Sequence, residues 1–493
     1  MSLFNRNHPV FSGGNAPVRI ETDAICLETD GALPDELKGS YFRLTADPQF
    51  PPRLRPVLVE ADGHVGAFHF RDNGQVDYVG KWVRTERFLR ERAARRALFG
   101  TYRNRFTDEE SVLDSDRTTA NTAFMFHHHK FFALKEDGLP YQLDPETLDT
   151  IGRYDFGGTV SAKSLSAHPK VDSRTGELIT HSGQAKGEGT PDIAYYVFDK
   201  NGTKTVERWF EAPYSSIVHD IAITQDWVVL PIMPAVVEEE RLRAGGATYW
   251  WKPELGNHIA VFRRDGTGDV RWFRTKATYA FHVVNSYQDG DRLIIDVMDA
   301  EEFPMWWPRP EQVAALRSGE IKRDKFVAQL TRWTIDLAGD SDDIERELLH
   351  PWEAEMPRID DRFAGQPYRY AVYGVDDPSF PLAHGLAELG VNHNSVGWWD
   401  HQTRTLTSWY TGPNSSVGEP VFTPRSPDAP EGDGFILAVV QRLAEQRSEL
   451  VVIDTRDVAA GPIASVHAPH RLKNAIHNLW IDQEQLNEGG EKA

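Results

Sequence analysis

Residues 195–199 read YYVFD and residues 206–210 read VERWF, with Lys200, Asn201 and Gly202 between them. Runs of aromatic and β-branched residues fit a pleated strand, and an Asn-Gly pair supplies the left-handed backbone that a tight reversal requires. The stretch predicts two antiparallel strands joined by a hairpin. Outward from it, the same punctuation recurs at Asp62-Gly63, Asn73-Gly74, Asp137-Gly138, Asp265-Gly266 and Asp289-Gly290, each read as a turn between apolar runs. Helical pattern is confined to Glu86–Phe99, rich in Arg and Ala, and to Pro310–Ser318. Both read as excursions from a β scaffold.

At 493 residues the chain is long enough for several domains. No Gly/Ser-rich or charged linker interrupts it, and strand signals persist to Val451–Ile453, so one domain spanning residues 1–493 is expected. An all-β chain of this size must dispose of its sheet edges, and radial repetition of four-stranded blades does so. At roughly 40 to 70 residues per blade, about seven fit. The predicted fold is an all-β, seven-bladed β-propeller with helical and loop excursions covering one face. The blade sequences carry no obvious internal repeat.

Composition narrows the function classes. A net charge of −20 repels polyanions and argues against a nucleic-acid partner. A single cysteine, Cys26, excludes iron–sulfur clusters and thiolate zinc sites, so any metal must use His, Asp or Glu. The longest apolar stretch, Trp227–Val237, is broken by Pro231 and Pro234 and falls short of the roughly 20 residues of a membrane span. No stable membrane insertion is expected. Met1–Arg19 lacks the apolar core of a signal peptide, so the expected compartment is the cytoplasm.

Of the 18 histidines, the consecutive His127, His128 and His129 attract attention first. Neighbours on a strand point to opposite faces, so these three cannot converge on one ion and read as a strand passing a turn. Four others, His168, His219, His282 and His477, stand beside or at the entry of β-type runs spread over most of the chain. A propeller brings such positions to a common axis. Singly, each is ordinarily a hydrogen-bonded core histidine.

The motifs around them change that reading. The stretches GSYFRLTADPQFPP (39–52), ARRALFGTYRNRFTDEESV (94–112), SAHPKVDSRTGEL (166–178), HDIAIT (219–224), FHVVNSYQDGD (281–291), EMPRIDDRF (355–363) and GEPVFTPRSPDAPEGDGFIL (418–437) fall in one order along the chain. In that order they resemble the carotenoid cleavage oxygenase family, and within it the lignostilbene dioxygenase and isoeugenol-cleaving branch. The resemblance implies a propeller with a non-haem Fe(2+) on its axis, held by His168, His219, His282 and His477. It implies supporting carboxylates at Glu136, Glu355 and Glu419, each fixing the tautomer and orientation of an imidazole.

In the aromatic branch a Tyr and a Lys bind the substrate's 4-hydroxyl, and the matching positions are Tyr102 and Lys135. An ammonium beside a phenol eases its ionisation. Because Lys135 and Glu136 are consecutive, one must face the substrate and the other the iron, or the strand must bulge. The implied reaction is oxygen activation at Fe(2+) and scission of the side-chain double bond of a small phenolic alkene by O2. Its products are carbonyl fragments such as vanillin. The Arg-rich segment (Arg84, Arg87, Arg90, Arg92, Arg95, Arg96) lacks a wide apolar face, which suits water-borne aromatics rather than membrane-borne polyenes.

Two positions depart from the pattern and are expected near the site. Arg105 stands where many relatives have Pro, and Gln288 where many have an acidic residue. No aromatic pocket residue is evident between Phe50 and Asp62. Two alternatives stay open at this level: a carotenoid or apocarotenoid cleavage dioxygenase, and a non-catalytic propeller serving as a binding module. An oligomer is compatible with either.

Overall fold

The opening hairpin forms as read. Asp192–Phe198 pairs antiparallel with Lys204–Glu211, with Tyr195 opposite Arg208. The Asp199 carboxylate accepts the N–H groups of Asn201 and Thr203 across the turn, each at 2.9 Å. In this computed structural model residues 3–72, 74–303, 326–382 and 392–490 are described. The predicted helix at Pro310–Ser318 lies outside them.

That hairpin supplies the two outer strands of one blade in a ring of seven. Counting along the chain, blades two to six are four-stranded antiparallel sheets. Their inner strands are Ala123–His127, Lys170–Val171, Ala222–Ile223, Tyr279–Asp289 and Ala354–Ile359. The seventh has Ser415–Val417 and Val421–Pro424 inside, both on Gly434–Arg442. The first blade mixes the two ends of the chain, because its inner strand, Asn478–Asp482, pairs with Gly39–Asp47. The N-terminal segment adds Thr22–Ala24 to the outer edge of the first blade and Thr29–Gly31 to that of the last. Closing the ring in this way joins the two ends of the chain within one sheet.

The blades hold together through seven apolar seams, one per junction. Side chains alternate across a strand, so each blade feeds two seams. On Asp192–Phe198, Ala194, Tyr196 and Phe198 face the second blade, whereas Ile193, Tyr195 and Val197 face the fourth. Burial on both faces is why this strand reads as an unbroken apolar run.

Two expectations need correction. Asp62-Gly63 is not a turn: it opens the strand Asp62–Phe70, with Gly63 opposite Ala46. Glycine is needed there because a Cβ would lie 2.5 Å from the carbonyl oxygen of Ala120. The helix read as Glu86–Phe99 ends at Ala94, where Arg95 turns left-handed at φ +57° and caps it. In and beside the helix the charges are largely spent on ion pairs, with Arg84 on Glu21, Arg90 on Glu86, Arg96 on Glu109 and buried Arg87 on Glu60. Among the described residues no helix is long and apolar enough to cross a membrane.

Candidate metal centre and active site

At the hub, one nitrogen from each of His168, His219, His282 and His477 lies within 4.8 Å of the others. His168 and His219 stand just before the inner strands of the third and fourth blades, and His477 just before that of the first. His282 lies inside the fifth blade's inner strand, where register shifts between Ala280 and Val283 mark a bulge that re-aims the chain. Local bonds hold these segments in place. The His168 N–H donates to Ser166 Oγ (2.9 Å), whose hydroxyl donates to the His219 carbonyl (3.1 Å), and the Asp220 carboxylate accepts the Val283 N–H (2.8 Å).

Three imidazoles are backed by carboxylates from the remaining blades. His282 Nδ1 meets Glu355 at 2.5 Å, His477 Nδ1 meets Glu419 at 2.9 Å, and His219 Nδ1 stands 3.5 Å from Glu136. The four rings come from blades one, three, four and five, and the three carboxylates from two, six and seven. A carboxylate accepting from Nδ1 leaves Nε2 as the free lone pair. The buried Nε2 atoms of His168 and His282 make no hydrogen bond within the chain, an orphaning that a bound cation resolves. Burial and the three neighbouring rings hold the His168 pKa well below the usual imidazole value, which keeps the ring neutral and able to ligate. Burial would raise the Glu136 and Glu419 carboxyls, but the facing imidazoles and arginines outweigh it and both stay ionised. Four imidazole nitrogens with an outer layer of carboxylates fit a divalent transition metal.

From His219 a run of rings leads away from the hub. Phe281 packs 5.2 Å from His219, Tyr279 4.7 Å from Phe281, and Phe303 4.6 Å from Tyr279. Tyr249 continues it at 6.1 Å, and Tyr102 follows at 6.2 Å. Lys135 Nζ sits 5.2 Å from the Tyr102 ring centroid. Two of its three N–H bonds go to the Val59 carbonyl (2.7 Å) and Thr119 Oγ1 (2.8 Å). Lys135 and Glu136 lie just past the strand Lys130–Leu134 and diverge as required, one toward Tyr102 and the other toward His219. Burial, then Tyr249 and Glu136, push the Tyr102 hydroxyl well above its ordinary pKa.

The two departing positions are not at the site. Gln288 Nε2 bonds the Gly290 carbonyl at the far end of its hairpin, and Arg105 is exposed and reaches the Leu113 carbonyl. His128 and His129 form a left-handed two-residue turn at φ +51° and +56°, as the strand argument required. Sequence reasoning missed Arg103, Tyr249, Tyr279, Phe281 and Phe303. For Phe281 a signal existed, since it adjoins His282.

A propeller whose hub gathers four imidazoles, three of them backed by carboxylates, defines the class of alkene-cleaving oxygenases. A family model described as retinal pigment epithelial membrane protein, RPE65, matches residues 15–482, and the chain belongs to that carotenoid oxygenase family. It is 48% identical over 481 residues to isoeugenol monooxygenase of Pseudomonas putida, covering 97% of this chain and 99% of the relative. The crystal structure of Pseudomonas brassicacearum lignostilbene dioxygenase superposes with a TM-score of 0.91 at 36% identity, covering 98% of this chain and 100% of that one. Cobalt-substituted Synechocystis ACO superposes with a TM-score of 0.82 at 25% identity, covering 95% of this chain and 97% of that one.

Proposed function

We propose that this chain is a ferrous dioxygenase that cleaves the side-chain double bond of 4-hydroxyphenyl alkenes, of the isoeugenol, 4-vinylguaiacol and lignostilbene type, and releases an aldehyde such as vanillin. The observation that carries the reading is the pairing of Lys135 with Tyr102 at one end of a run of rings that ends at four clustered imidazoles. His168, His219, His282 and His477 would hold the iron, and Glu136, Glu355 and Glu419 would orient three of those rings. When bound, ferrous iron supplies oxygen activation at the positions its nitrogen ligands leave open.

The chain's own residues do the rest. The Lys135 ammonium, with one N–H left over, stabilises the substrate phenolate, while burial that lowers its own pKa is opposed by Asp137 at 3.8 Å. Tyr102, kept protonated, donates to the same oxygen. A phenolate so held pushes electron density through its ring into the alkene. The rings between Tyr102 and His219 exclude water and aim the double bond at the hub. One C=C bond breaks and two C=O bonds form, both oxygens coming from O2, so no external reductant is required.

The test incubates iron-loaded protein under oxygen with isoeugenol, 4-vinylguaiacol, lignostilbene and resveratrol, and with their 4-O-methyl ethers. Aldehyde is expected from free phenols and at least tenfold less from the ethers, with Lys135→Met equalising the two. Aldehyde from none of them, or equal turnover of phenols and ethers by the unaltered enzyme, overturns the reading.

A further inference from the structure

Arg103 follows Tyr102 and is also buried, at 5% exposure. Its backbone sits at φ +49°, a left-handed conformation that costs a residue with a Cβ about 1 kcal/mol or more. That turn sends two consecutive side chains inward, where strand alternation would send one out.

The inward guanidinium meets three acceptors. Nη1 donates to the Tyr249 hydroxyl at 2.5 Å and lies 3.8 Å from Glu136 Oε1, and Nη2 donates to the Glu136 backbone carbonyl at 3.5 Å. The Thr248 hydroxyl donates to the Tyr102 carbonyl (2.5 Å), so the 102–103 turn and the 248–249 loop are linked twice. Among the three carboxylate–imidazole pairs, the one that includes Glu136 is the longest, 3.5 Å against 2.5 and 2.9 Å. Glu355 and Glu419 each also accept a backbone N–H, from Met356 and Asn478. Glu136 is shared between His219 and Arg103.

We propose that Arg103 is a positioning residue for the metal centre: it holds the Glu136 peptide and carboxylate behind His219 and, through Tyr249, locks the ring-lined wall to the same assembly. This rests on the reading of His219 as a ligand. The planar fork is what matters, because a point charge cannot span three acceptors.

Titration of Co2+ into metal-free protein, followed by its visible ligand-field bands, tests this without turnover. Arg103→Lys and Arg103→Met are both expected to bind Co2+ roughly tenfold more weakly, with displaced bands, the size usual for losing an outer-layer partner. An Arg103→Lys variant with unaltered affinity and spectrum overturns the proposal while leaving the metal reading intact. Should both variants fail to fold, Tyr249→Phe, which deletes one hydroxyl, takes their place, and an unchanged spectrum there overturns it equally. Unaltered protein that binds no Co2+ sinks the metal reading and the proposal together.

Discussion

Asp62 is a buried carboxyl with one oxygen unpartnered, lining a cavity of about 40 Å³ together with Glu60, Arg87 and Glu91. Burial and then the Glu91 charge push its pKa up to about 7 from an ordinary 3.8, against the pull of Arg87 and the Gln49 N–H. Between about pH 4 and 7 the folded chain therefore holds a proton that the unfolded chain has released, and stability falls as pH rises through that window. Above about 7 the whole penalty is present. Asp62→Asn keeps an acceptor for Gln49 and removes the penalty, so its melting temperature relative to the unaltered protein should climb from pH 4 to pH 8. A difference that stays flat with pH counts against the assignment. At this scale the sequence was legible where a residue sits inside a quoted motif, as His168, His219, His282, Glu355 and Glu419 do. Arg103 and Tyr249 were illegible because 146 positions separate them and only the fold makes them neighbours.

Among the elements, the helix Glu86–Ala94 is the clearest case of local control. The Thr85 hydroxyl accepts the Phe88 N–H at 3.1 Å, and Arg95 ends the helix in a left-handed cap. Thr85→Ala should cost about 1 kcal/mol of unfolding free energy by urea titration, since a buried N–H loses its acceptor. No loss would mean that tertiary packing, not the cap, sets the helix start. Hairpins at Asn201-Gly202, Asp265-Gly266 and Asp289-Gly290 were legible because the turn chemistry is local. Asp62-Gly63 misled for the opposite reason: its glycine answers to the Thr119–Ala120 backbone, distant in sequence. The bulge that aims His282 carries no residue signature of its own.

Across the whole molecule, all seven blades supply a side chain to the hub, either an imidazole or the carboxylate behind one. An ion there links every blade, and a ligand bound only by the folded state at a thousand times its dissociation constant adds about 4 kcal/mol. Chelation should lower the melting temperature by several degrees, and returning the metal should restore it. Identical melting with and without metal would contradict a hub of this kind. The ring itself was legible from strand density and the want of a linker, but its closure was not. Pairing Asn478–Asp482 with Gly39–Asp47 depends on chain ends that share no local pattern.

His477 precedes the strand that closes the ring, and its partner Glu419 belongs to the last blade. A nascent chain on the ribosome thus carries three corners of the hub and cannot assemble the fourth until translation has passed residue 482. Completion of the four-imidazole hub is then a post-translational event, because its last corner lies in the ring-closing segment.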